Sequence, residues 1–76
     1  MNIRTYATYS IYDEDTASCI EEGDMLTSIT YLDENYEEVT VKNIQITNIN
    51  EEILTIELED YSEVAICIDN IIEWEH

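Results

Sequence analysis

From Ile3 to Tyr12 the chain alternates two sets of side chains. Ile3, Thr5, Ala7, Tyr9 and Ile11 share one face, and Arg4, Tyr6, Thr8, Ser10 and Tyr12 share the other. A period of two, carried by Thr, Tyr and Ile, predicts a single strand. The acidic stretch from Asp13 to Asp24 breaks the pattern and reads as a loop with a short helical turn at Thr16–Glu21. A second strand is predicted over Met25–Leu32, introduced by Gly23-Asp24, with Asp33-Glu34-Asn35 as the hairpin turn. The third strand runs from Glu37 to about Thr47. Its apolar phase slips from odd (Val39, Val41) to even (Ile44, Ile46), which predicts a bulge near Lys42-Asn43. After a turn at Asn48–Glu52 a fourth strand covers Ile53–Glu59, with Leu54, Ile56 and Leu58 on one face. Asp60–Glu63 turns the chain into a fifth strand, Val64–Ile68, with Val64, Ile66 and Ile68 inward. Asp69-Asn70-Ile71 fits one 3-10 turn before a short closing strand at Ile72 and Trp74.

These pieces predict one domain over residues 1–76, mostly β: a small five-stranded antiparallel barrel or strongly bent sheet with a short helical turn. Closure would remove the sticky edges of a small open sheet. A helix bundle is disfavoured, because β-branched residues and Tyr dominate while Ala and Leu are sparse. From Gly23 onward the chain resembles SH3-like and Sm-like small barrels. The resemblance lies in Gly23-Asp24 before a strand, in Ile44-Gln45-Ile46-Thr47-Asn48-Ile49, and in Ile66-Cys67-Ile68-Asp69-Asn70-Ile71-Ile72. The last of these is similar to the close of YolD-like bacterial and phage domains. The resemblance implies a fold and assigns no functional residue.

Charge is the most pronounced compositional feature. Nineteen Asp and Glu face two cations, Arg4 and Lys42, for a net charge of −17. Such self-repulsion opposes compaction, yet 45% hydrophobic residues in periodic order predict a folded domain. A 76-residue domain is marginal in buried area, and a homodimer is one way to add more. The anionic surface excludes direct nucleic-acid binding and disfavours anionic membranes. The uncharged apolar run Val64–Ile68 is five residues long, where a membrane-spanning helix needs about 20. The N-terminal segment has Arg4 but no apolar core of a signal peptide, so the expected location is the cytoplasm, including a host cytoplasm for a phage-encoded chain. Cys19 and Cys67 are expected as free thiols.

Few residues point to catalysis or metal binding. Asp13-Glu14-Asp15 and Asp24 mimic the spacing of a calcium loop, but Ala17 offers no side-chain oxygen and Ser18 stands where a sharp turn wants Gly. No metal or other cofactor is expected. The only histidine is His76; at a frayed chain end it would be a poor base. No phosphate loop or nucleophile–base set is evident, and no enzymatic activity is expected.

The carboxylates read better as a surface. They cluster at Asp13–Asp15, Glu21–Asp24, Asp33-Glu34 with Glu37-Glu38, Glu51-Glu52, Glu57–Glu63, and Asp69 with Glu73 and Glu75. Glu57 and Glu59, two apart on one strand face, would stand about 6.7 Å apart, comparable with neighbouring phosphates. Size and charge resemble phage-encoded DNA-mimic inhibitors of the anti-CRISPR and anti-restriction type. The expected partner is a basic nucleic-acid-binding protein such as a CRISPR effector or restriction nuclease, blocked without chemistry. Glu57, Glu59, Asp60 and Glu63 would pair with its cations around Tyr61, and Asp33, Glu34 and Glu37 around Tyr36. Tyr9, Tyr31 and Trp74 are expected in the core. The alternative is a structural or adaptor barrel assembling through sheet edges, its acids serving solubility.

Overall fold

The computed structural model of the chain describes the backbone of residues 3–7 and both backbone and side chains of residues 10–76. Among the described residues, eight strands form two antiparallel sheets. The first sheet holds β1 (Ile3–Ala7), β2 (Ser10–Asp13) and β3 (Ser18–Glu21) in that order. The second holds β4 (Met25–Leu32), β5 (Glu38–Ile49), β6 (Ile53–Glu57), β7 (Glu63–Cys67) and β8 (Ile71–Glu75) in the order β7-β6-β5-β4-β8. One 3-10 turn, Ile68–Asn70, joins β7 to β8.

The five-stranded sheet follows the expected segments closely, and Met25–Leu32 is the expected strand to the residue. β6 stops at Glu57, two residues short of expectation, because Leu58 already belongs to the next turn. The first sheet is the main departure. The run read as one strand from Ile3 to Tyr12 is a hairpin, and the stretch read as a loop with a helical turn contains β3. The hairpin was hidden because Arg4 pairs with Tyr12 and Thr5 with Ile11. These pairs, like Ile3 with Asp13, share parity, so the alternation reads through them as one strand; only the innermost pair, Ala7 with Ser10, departs, after a register shift beyond Thr5. No Gly, Pro, Asn or Asp stands between the two strands to mark a turn. The expected places of Tyr6 and Tyr9 lie outside the described side chains.

Beyond β3, a turn at Gly23 enters the large sheet. Gly23 has φ +95°, and a Cβ there would meet nothing within 4 Å. Glycine is needed for its dihedral and not for space. Its amide donates to Ile46 O at 2.8 Å, and Ile46 N donates to Asp24 O at 2.9 Å. The connection is thereby stitched to β5.

β5 is the spine. Its buried positions change phase twice, from Val39 and Val41 (half-buried) to Ile44 and Ile46, then to Ile49. The first slip coincides with Asn43 at φ +54°, but the register against β4 continues unbroken from Ile29–Val41 to Leu26–Ile44. The registered bulge lies further on, against β6 between Ile46 and Asn48. The bend expected at Lys42-Asn43 is therefore a left-handed residue, and the extra residue of the bulge is Thr47.

One contiguous core lies between the sheets. Ile11 and Ile20, direct cross-strand partners in the small sheet, are fully buried against Leu26, Ile29, Ile44, Ile46, Leu54 and Ile56 of the large one. Each such side chain contributes about 1.5–3 kcal/mol when buried. Trp74 and Tyr31 join the same cluster, as expected. Trp74 Nε1 donates to Ser18 Oγ at 2.8 Å, a direct link between the sheets.

No closed barrel forms among the described residues. The 3-10 turn carries the chain from β7 to the far side of β4, where β8 pairs with Ser28–Tyr31. Among the described residues, the outer edge of β7 is left without a neighbouring strand.

Candidate binding surface

The nine residues expected to meet a partner fall on two turns of one design. In the β4–β5 turn, Asp33 N donates to Glu37 O and Tyr36 N donates to Asp33 O, both at 2.9 Å. In the β6–β7 turn, Leu58 N donates to Ser62 O at 2.8 Å and Tyr61 N to Leu58 O at 3.0 Å. Each is a three-residue hairpin loop whose last residue is left-handed, a position that normally takes glycine. Here it is Tyr36 at φ +58° and Tyr61 at φ +69°. The left-handed region costs an L-residue roughly 1–2 kcal/mol. Both rings point outward, with 76% of Tyr36 and 84% of Tyr61 exposed. Sequence reasoning chose both tyrosines because acids flank them; their strained backbone has no signal in composition.

Aspartates hold each turn. Asp33 Oδ1 accepts from Asn35 N at 2.8 Å and from Glu37 N at 3.0 Å. Asp60 Oδ1 accepts from the amide and the hydroxyl of Ser62. These bonds favour the charged form, so the Asp60 carboxyl sits below its ordinary pKa, the Ser62 hydroxyl being the larger cause. Tyr31 is shifted the other way: burial, and then the nearby charge of Asp33, push its phenol above the ordinary value.

Glu57 and Glu59 do not form the strand-face row expected of them. Glu59 lies in the turn and accepts from Asn43 Nδ2 at 3.4 Å. Glu57 instead stands directly opposite Glu63 across the β6–β7 ladder. Like charges in such a pair oppose the pairing they sit in. The structure thus gathers Glu57, Glu59, Asp60, Tyr61 and Glu63 at one hairpin end. Lys42 is near them, lining a shallow hollow of about 270 Å³ with Val41, Leu58, Glu59 and Asp60. Asp33, Glu34, Tyr36 and Glu37 form a second group at the same end of the meander. The β6–β7 turn reaches only to Asn43 of β5, whereas the other turn adjoins Glu38. Five residues of strand put the two groups roughly 17 Å out of step along β5.

Other acids serve the backbone. Asp13, 1% exposed, accepts from Asp15 N at 3.1 Å and Thr16 Oγ1 at 2.9 Å, closing the β2–β3 turn. Asp24 Oδ2 accepts from Glu21 N at 3.0 Å, and Glu22 Oε2 accepts from Ile49 N at 2.9 Å beside the bulge. The calcium-like spacing therefore folds as a hairpin and a connection. Among the described residues no three His, Cys, Asp or Glu side chains gather in a way that could hold a metal ion. His76 is tethered, not frayed: its carbonyl accepts from Thr27 Oγ1 at 2.7 Å and its ring meets Ser18 Oγ at 3.3 Å. Cys19 and Cys67 are free and exposed. No helix among the described residues is long and apolar enough to cross a membrane. No family model, no curated protein and no solved structure matches the chain.

Proposed function

We propose that the chain is a non-enzymatic inhibitor that presents nucleic-acid-like charge and blocks a basic nucleic-acid-binding protein, of the CRISPR-effector or restriction-nuclease kind. The observation that carries this reading is the β6–β7 hairpin end: Glu57, Glu59, Asp60 and Glu63 surround an outward Tyr61 on a chain of net charge −17. The hydrogen-bonded turn fixes the backbone positions of these carboxylates, so that binding has only their side chains to order. The repulsion between Glu57 and Glu63 is relieved when a Lys or Arg enters between them. Tyr61 supplies an anchor of the type that dominates interface energetics. Binding would release small ions from both partners and weaken with salt.

The fold supports a scaffold reading of the same kind. A four-strand meander whose fifth strand returns through a 3-10 turn to pair with the first is similar in connectivity to SH3-like barrels. We take the five-stranded sheet as an open relative of that class. The unpaired edge of β7 favours a second reading, an adaptor that assembles through sheet edges.

Affinity capture from bacterial lysate separates the two. Under mimicry, a basic nucleic-acid-binding protein is retained at low salt, released at high salt and displaced by duplex DNA. Tyr61→Ala with Glu59→Gln should then weaken capture tenfold or more, on the order of a hot-spot loss. A partner held regardless of salt and DNA would reject mimicry and favour the adaptor.

A further inference from the structure

A slot opens beside β7, and consecutive residues line both of its walls. Val64–Cys67 line one side and Tyr31–Glu34 the other, joined by Asn70 and by Ile53, the β6 partner of Cys67, around a cavity of about 420 Å³. Successive residues of a strand point to opposite faces, so a cavity touching four in a row runs along the backbone edge. On the β7 side that edge has no neighbouring strand among the described residues. On the β4 side the ladder with β8 ends at Tyr31, leaving Leu32–Glu34 beyond it. The slot is a gap between the length of β7 and the end of β4, with Val64 and Leu32 half-buried on its walls. Its volume is that of a ligand site, roughly 300–1,000 Å³.

We propose that this slot takes an extended, cationic peptide segment that adds as a strand to β7. Edge addition supplies affinity through main-chain bonds, and alternate side-chain pockets supply specificity. Four residues of β7 offer about 10 Å of edge. The charge around the slot names the occupant. Asp33 and Glu34 stand on its wall, and Glu63 begins the edge strand. A smaller hollow of about 190 Å³ at the other end of β7 is lined by Glu51, Glu52 and Asp69. Acids at both mouths and apolar walls between them fit Lys or Arg flanking small apolar residues. A second copy of this chain fits poorly, since it brings 19 acids and two cations.

Strand addition at β7 is distinct from charge mimicry and is read on the chain's own amides with no nucleic acid present. The probe is an alternating Lys-Val heptapeptide titrated into the ¹⁵N-labelled full chain at physiological salt, beside the same peptide N-methylated at alternate residues. The expected result is shift changes and slowed amide exchange confined to Leu32–Glu34 and Val64–Cys67, with about tenfold weaker binding after N-methylation. Glu34→Lys should weaken the unmodified peptide about threefold to tenfold. Equal binding of the N-methylated peptide, changes spread over all acidic clusters, changes centred on Glu57–Glu63, or a dimer of the chain filling the slot would each overturn the proposal. Loss of DNA competition in lysate capture would instead reject mimicry and leave this result standing.

Discussion

Tyr36 and Tyr61 occupy dihedrals that glycine adopts freely, and neither ring is buried. Tyr36→Gly and Tyr61→Gly should each stabilise the fold by about 0.5–1 kcal/mol in chemical denaturation, the relief of left-handed strain exceeding glycine's extra chain entropy. A loss of stability would mean that the rings hold the turns. The Tyr61 substitution should at the same time weaken capture of the partner, a separation of stability from binding. At Asp60, Ser62→Ala should raise the carboxyl pKa toward its ordinary value, read by NMR titration, because both the hydroxyl bond and its constraint on the turn are lost. The sign of its linkage to stability follows from the depressed pKa. The contribution of Asp60 is present above the ordinary carboxylate pKa and disappears as pH falls through the lower folded value. Tyr31 works in the opposite window: its raised pKa favours the neutral phenol in the fold, so its contribution is lost as pH rises through that value.

Between elements, the two sheets meet through the Ile11–Ile20 pair and the Trp74–Ser18 bond. Ser18→Ala should leave the Trp74 N–H without its acceptor and cost about 1–3 kcal/mol, with a change in Trp fluorescence at the melting transition. The large sheet was legible in the sequence because its strands are punctuated by Asp, Asn and Glu at each turn and its apolar residues alternate. The small sheet was not. Three of the four β1–β2 pairs share parity, and β3 carries a single buried residue, Ile20, amid acids that resemble a loop. Of the candidate surface, sequence supplied the residue types and their two clusters. It could not show that Glu57 faces Glu63, since that depends on where β6 ends, nor that Asp33 and Glu34 border a slot, since that depends on where β8 stops pairing.

For the whole molecule, a net charge of −17 on one compact body is a load that salt screens. The melting temperature should rise between about 0.01 and 0.15 M salt, as the Debye length falls from about 30 to 8 Å. A flat or falling curve would show that repulsion does not limit stability. The order of strands carries a further consequence, for kinetics. Within the large sheet β4–β5, β5–β6 and β6–β7 are neighbours in the chain, whereas β8 must return across three strands to reach β4. Loop closure is cheap for the hairpins and expensive for that last ladder. Substitutions in the β4–β5 hairpin should slow folding, whereas Trp74→Phe in β8 should mainly hasten unfolding, so that the two arms of a chevron respond to different ends of the sheet.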